Sequence, residues 1–207
     1  MIMSAKGKID LYKLHKNDYV APNKPVLLNI ESASYLAIDG RGEPGSAVFT
    51  AKIAALYGVA YTIKMTRKFA GEQDYAICKL EALWWADRHD DFSRVPKTDW
   101  CWKLLIRTPD FVRAGELEKA AASLLERGKD TSVRAVSLES FAEGRCVQML
   151  HVGPYEREHE TIAVMKAHAE KNGLNFQGRY HDVYLSDPRR VPAERLKTIL
   201  RHPVCAA

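Results

Sequence analysis

Two spacings of apolar residues alternate along this chain, one by twos and one by threes and fours. PVLLNI (25–30) and ASYLAIDG (33–40) read as strands, the second ending at Gly40. Ser46 then caps a helix on which Phe49, Ile53, Leu56, Ala60 and Ile63 recur on one side. Alternation returns in DYAICKLEALWW (74–85) and, after a loop at 94–99, in WCWKLLIRTP (100–109), which Pro109 stops. A helix over 115–127 carries Leu117, Ala121, Leu124 and Leu125 on one side. VRAVSLESF (133–141) and GRCVQMLHVG (144–153) pair as a hairpin around AEG (142–144). Residues 155–171 are helical, with Ile162, Met165 and Ala169 inward, and Asn172 and Gly173 end the helix. GRYHDVYLSDP (178–188) and RLKTILR (195–201) are the last strands.

The pattern repeats once. YLAIDG, a helix and CKLEALWW in the first half correspond to MLHVG, a helix and YHDVYLSD in the second. A period of about half the chain is a duplication, not a solenoid repeat. The expectation is an α+β fold in a single domain over 1–207. Two tandem strand-helix-strand-strand modules, about 25–110 and 131–204, are related by a pseudo-twofold and joined by a helical segment at about 111–130. Antiparallel sheets would carry both helices on one face and leave a ligand groove on the other. Outer edge strands left by such modules are capped by loops or by a second copy, so monomer and homodimer are both open.

Composition narrows the class. With 46% hydrophobic and 28% charged residues the chain is an ordinary globular protein, and it has no apolar run of membrane-spanning length. The start, MIMSAKGKIDLYK, does not resemble a secretion signal, and Cys78, Cys101, Cys146 and Cys205 show no metal or redox spacing. Reduced thiols and a cytoplasmic location are expected. The net charge of +5 is interspersed with 26 acids, and no helix-turn-helix, zinc finger or RNA-binding signature accompanies it, so no direct nucleic-acid partner is expected.

Candidate chemistry lies on the strands. In the stretch 178–188, His181, Val183 and Leu185 form one face, fit for burial against a helix. Tyr180, Asp182, Tyr184 and Ser186 form the other, an acid between tyrosines. In the first half the small apolar set Ala76, Cys78, Leu80 and Ala82 fits under a helix, which aims Glu81 into the groove from that side. Trp84, Trp85, Trp100, Trp102, Tyr155 and Tyr180 lie on or near these strands and would wall a cavity for a flat or cationic molecule. Asp182 and Glu81 would supply charge or a proton acceptor, with Tyr184 beside them. Plainer readings stand next to these. Glu81 pairs with Lys79 or Lys103 at the surface, Trp100 and Trp102 continue into the core with Leu104 and Ile106, and His151 and His181 are structural. No histidine pair has metal spacing, no GxSxG elbow occurs, and neither metal nor cofactor is called for.

HVGPYEREHETIAVMKAHAEKNG, GRYHDVYLSDPRR and LKTILRHPV resemble the GyrI-like (gyrase-inhibitor-like) small-molecule-binding family, as does the run from CKLEALWW to DWCWKLLIRTPDFV. The resemblance covers nearly the whole chain and implies the tandem-module fold. It implies further that Asp182 stands where the family usually has glutamate, and that Glu81 matches the acid of an LEGLWW-like segment, with Ala82 for the usual glycine. Related domains sense cationic lipophilic drugs for transcription activators. Some stand-alone members hydrolyse the strained cyclopropane of DNA-alkylating natural products of the duocarmycin and yatakemycin type. Cyclopropane hydrolysis by carboxylate-activated water, small-molecule sensing or sequestration without turnover, and modulation of a gyrase are the activities it implies.

Overall fold

A computed structural model describes residues 7–87 and 95–207; residues 1–6 and Arg94, which opens the loop expected at 94–99, lie outside them. Two short helices, α1 (Leu11–Leu14) and α2 (Lys16–Tyr19), precede the strands β1 (Val26–Ile30) and β2 (Ala33–Arg41). The first long helix, α3 (Ala47–Phe69), leads to β3 (Leu80–Ala86), β4 (Trp100–Arg107) and α4 (Ala114–Glu126). The second half comprises β5 (Ser137–Phe141), β6 (Gly144–Val152), α5 (Glu158–Lys171), β7 (Leu174–Phe176), β8 (Tyr180–Tyr184) and β9 (Lys197–Ala206). Helix α3 starts where Ser46 Oγ accepts from Phe49 N at 3.2 Å. Helix α5 ends before Gly173, whose φ of +67° is the left-handed turn that favours glycine.

The strands are antiparallel and lie in the order β1-β6-β9-β8-β3-β4-β2-β5, with β7 added on β9. The hairpin expected around AEG is therefore corrected. Strand β5 pairs with β2, placing Leu138 opposite Leu36, while β6 pairs with β1, placing Cys146 opposite Leu28. Strands β1 and β2, joined only by Glu31 and Ser32, likewise lie far apart in the order. A link of two residues spans no more than about 10 Å. Both ends of the sheet must therefore approach each other, and the sheet curls into a half-barrel. Across its inner side the Phe141 ring on β5 reaches the His181 ring on β8, centroids 6.0 Å apart.

The helices pack on the outer side. Leu56, Val59, Ala60 and Ile63 of α3 join Leu36, Ile38, Leu104 and Ile106 of the sheet in one buried cluster. Met165 and Ala169 of α5 cluster with Val147 and Leu200. Burying each such aliphatic side chain stabilises the fold by about 1.5–3 kcal/mol. Trp102 is fully buried, with its indole Nε1–H donating to Gly42 O at 3.1 Å. Its ring lies so close to Gly40 that a Cβ there would come within 1.9 Å of it. Gly40→Ala is therefore expected to destabilise the protein by about 1–3 kcal/mol through overpacking, read as a lower midpoint in urea. An unchanged midpoint would mean that Trp102 has room to move.

The side away from the helices is filled. Residues 9–20 run along it, starting from a bridge between Ile9 and Tyr75. Arg107 donates to Asp18 Oδ2 at 2.7 Å, Arg201 donates to Asp18 O, and Gln148 donates to Val20 O at 3.4 Å. That face is the inside of the curl, and Asp18, Tyr19 and Val20 of the chain's own N-terminal segment bond into it where a groove was expected. Cys78, Cys101 and Cys146 are buried thiols and Cys205 an exposed one. Among the described residues no helix is long and apolar enough to cross a membrane.

Candidate functional site

The β3–β8 register separates the two expected acids. Ala82 lies opposite Asp182, and Glu81 opposite Val183. Directly opposed residues of an antiparallel pair share a face, so Asp182 points outward with Ala82 and Trp84, while Glu81 points inward with His181.

Inside, Glu81 is fully buried. Its carboxylate accepts from Tyr19 OH at 2.9 Å and meets His181 Nε2 at 3.0 Å, with Arg201 at 4.0 Å. The other ring nitrogen of His181 bonds Glu143. Burial opposes charge on both Glu81 and His181, yet the ion pairing wins. The Glu81 carboxyl is held below its ordinary range, chiefly by the hydrogen bond from His181. His181 is pushed up to about 9 by the two carboxylates against its own desolvation. This is an imidazolium clamped between two carboxylates, and Glu81 is enclosed with it. Trp85 also points to the inner side, at one end of the strand, with the Arg179 guanidinium 3.7 Å above its ring.

Outside, α3 packs over β2 and β4 while α5 packs over β6 and β7, which leaves the central β3–β8 pair between the helices. Five aromatic residues expected at the site come together on this strip. Trp84 stacks on Phe49 and meets Trp100 edge-on, each pair at 5.8 Å between centroids. Tyr155, in the turn before α5, meets Tyr184 edge-on at 5.8 Å, and Tyr180 meets His202 edge-on at 4.2 Å. Trp102 contributes only core. Asp182 lies in the middle, enclosed by protein yet still partly accessible. Tyr184 OH donates to it at 3.4 Å, and the Trp84 indole N–H stands beside it without closing a well-formed hydrogen bond.

Sequence reasoning missed two residues here. Glu158 opens α5, where an acid reads as an ordinary complement to the helix dipole. Thr198 lies opposite Tyr184 on β9 and shares its face. Burial pushes the carboxyls of both Glu158 and Asp182 well above the carboxylate range, and the Asp182 charge raises Glu158 further. Desolvation, with the neighbouring carboxylates, likewise raises the hydroxyls of Tyr155 and Tyr184.

A curled antiparallel sheet whose outer strip sets an acid among aromatic rings has the build of a small-molecule-binding domain. The chain belongs to the GyrI-like small molecule binding domain family, whose sequence model matches residues 24–204. A crystal structure of a conserved protein from Listeria innocua is 36% identical, covers 96% of this chain and 100% of its own, and superposes with a TM-score of 0.89. A hydrolase from Listeria innocua is 35% identical over 96% of this chain and 100% of its own, with a TM-score of 0.85. The C-terminal domain of EcmrR shares the fold at 11% identity and a TM-score of 0.60, over 89% of this chain and 98% of that domain. No curated protein matches.

Proposed function

We propose that the chain binds flat aromatic or cationic small molecules over the β3–β8 strip and hydrolyses cyclopropanoid genotoxins there. The observation that carries this is Asp182, partly accessible among Trp84, Tyr155, Tyr180 and Tyr184, with its carboxyl raised toward neutrality by burial. A carboxylate of that basicity is matched to take a proton from water near neutral pH. The hydrolase name of the Listeria relative supports the same reading. Water attacks the cyclopropane methylene carbon as the ring C–C bond breaks, and the released electron pair passes through the conjugated ring to its carbonyl oxygen. Trp84 and Trp100 supply stacking for the planar body. Incubation with a duocarmycin-type compound is expected to give a product heavier by one water, and none in the Asp182→Asn protein. Recovery of unchanged compound, with saturable tryptophan quenching, would leave binding alone.

The sensor reading shares this strip and has its own signature. A permanently charged aromatic ammonium is attracted by ionised Asp182 and not by its protonated form. Its affinity is expected to rise as the pH is raised from about 5 to about 7, by up to ~10-fold per unit, while a neutral isostere stays flat. Titration calorimetry in buffers of different ionisation enthalpy counts the released proton, and equal pH profiles for the two probes would remove Asp182 from the site.

The two halves, about 25–110 and 131–204 with the helical 111–130 between them, are further read as duplicated modules of one domain. In support, the order β1-β6-β9-β8 from one edge corresponds to β5-β2-β4-β3 from the other.

A further inference from the structure

Six buried side-chain polar atoms among the described residues lack a hydrogen-bond partner, and three of them, Trp84 Nε1, Thr198 Oγ1 and Glu158 Oε1, belong to residues around Asp182. An unpartnered buried polar atom costs stability, so a cluster of them marks a place completed by something else. Trp84 is 4% exposed, and its N–H stands beside Asp182 without closing a well-formed hydrogen bond. Among the described residues no cation pairs with Glu158. Glu160, two residues along, pairs with Arg157 at 3.0 Å and serves the helix end. The groups that face Glu158 are Asp182, Glu156 and Thr198, with Tyr155 and Tyr184 alongside; those that face Asp182 are His181 through the sheet, Trp84 and Tyr184. Two carboxyls enclosed together relieve their repulsion by sharing a proton; His151, which faces the same side opposite Thr198, spends its ring nitrogens on Thr161 Oγ1 and Pro154 O.

We propose that Glu158 is the proton-bearing partner of Asp182 and the donor to the substrate's carbonyl oxygen. This rests on the hydrolytic reading above and adds the second half of its chemistry. As water oxygen bonds the cyclopropane carbon, Asp182 takes the water proton, the ring C–C bond breaks into the conjugated system, and Glu158 gives its proton to the oxygen on which the electron pair arrives. The product is the ring-opened alcohol with a phenolic hydroxyl. Proton transfer from Asp182 to Glu158 resets the pair, and the net change is one water added. Trp84 Nε1–H and Thr198 Oγ1–H, which stand beside Asp182 and Glu158 without well-formed hydrogen bonds, are the donors that would fix the substrate's oxygen atoms, so the preferred ligand is planar and carries a carbonyl or hydroxyl acceptor at its edge.

Difference infrared spectroscopy on the whole protein at neutral pH tests the pairing without any ligand. A protonated-carboxyl stretch is expected in the wild type and is lost in Glu158→Gln, with Asp182 ionising at lower pH in that variant. In turnover, Glu158→Gln is expected to lose at least ~100-fold in rate and the alkaline fall of the pH profile, while tryptophan quenching by the ring-opened product changes less than ~3-fold. Absence of the band, or its survival in Glu158→Gln, overturns the proposal whatever the turnover. A band lost as expected in a protein whose wild type turns nothing over overturns the hydrolase reading and the donor role with it.

Discussion

Replacing His181 by alanine is expected to lower the stability of the fold by about 3–5 kcal/mol, enough to unfold much of the protein at moderate urea. The substitution removes more than a ring. It leaves the Glu81 and Glu143 carboxylates, with side chains no more than 1% exposed, facing each other without the imidazolium between them. The pH dependence carries the same information with a definite sign. His181 has its pKa raised from 6.5 to about 9 on folding. Its contribution is thus fully present below pH 6.5 and is lost as the pH climbs through about 9, a change of about 3 kcal/mol. The lowered carboxyl of Glu81 works the other limb, contributing above 4.5 and fading as the pH falls through its folded value. Urea midpoints of the wild type should therefore decline on the alkaline side, and those of His181→Ala should be low and flat there. A loss below about 1 kcal/mol, or an unaltered alkaline slope, would show that the interior does not depend on this cation.

The sheet's architecture explains which features of the sequence were readable. Periodicity finds long elements, so α3, α4 and α5 and most strands fall within a few residues of their expected limits. Pairing is less legible. AEG has the composition of a hairpin turn, but Glu143 is drawn into the interior by His181 and the chain passes on to the far end of the sheet. The short helices α1 and α2 carry too few apolar residues to show a period, although Tyr19 becomes one of the largest fully buried side chains.

The acids were misplaced for a more specific reason. Aligning the halves on their acids matches Glu81 to Asp182, whereas the β3–β8 register sets Ala82 opposite Asp182 and Glu81 opposite Val183. The counterpart of outward-facing Asp182 on β3 is therefore Ala82 or another residue of its face, and matching acid to acid slips the register by one. Such a slip exchanges inside and outside. It put Glu81 and Asp182 on one side of the sheet where the register puts them on two, and it gave no sign of Glu158, which stands on a helix that strand periodicity does not describe. The aromatic residues were better indicated, because Trp84, Trp100, Tyr180 and Tyr184 share the outer face through plain alternation.

Asp182→Asn separates function from stability and is expected to move them in opposite directions. Asparagine keeps the size of the side chain and can still accept from Tyr184, but it cannot take a proton from water or hold a cation. Hydrolysis is expected to fall at least ~100-fold and the pH dependence of cation binding to vanish. Stability should rise instead. The carboxyl is raised from 3.8 to about 7 because burial strips water from its charged form, so the folded state holds this proton more tightly than the unfolded chain does. The wild type therefore loses stability relative to the variant once the pH exceeds 3.8, with the gap widening until about 7. At neutral pH the variant is expected to be more stable by about 1–3 kcal/mol, and below the unfolded pKa the two should converge. Urea melts at acidic and neutral pH measure both ends. A variant less stable than the wild type at neutral pH would show that the carboxylate is held by favourable bonds and is part of the scaffold. An acid that is strained when empty and needed when a ligand arrives is instead what a binding site accepts in exchange for function.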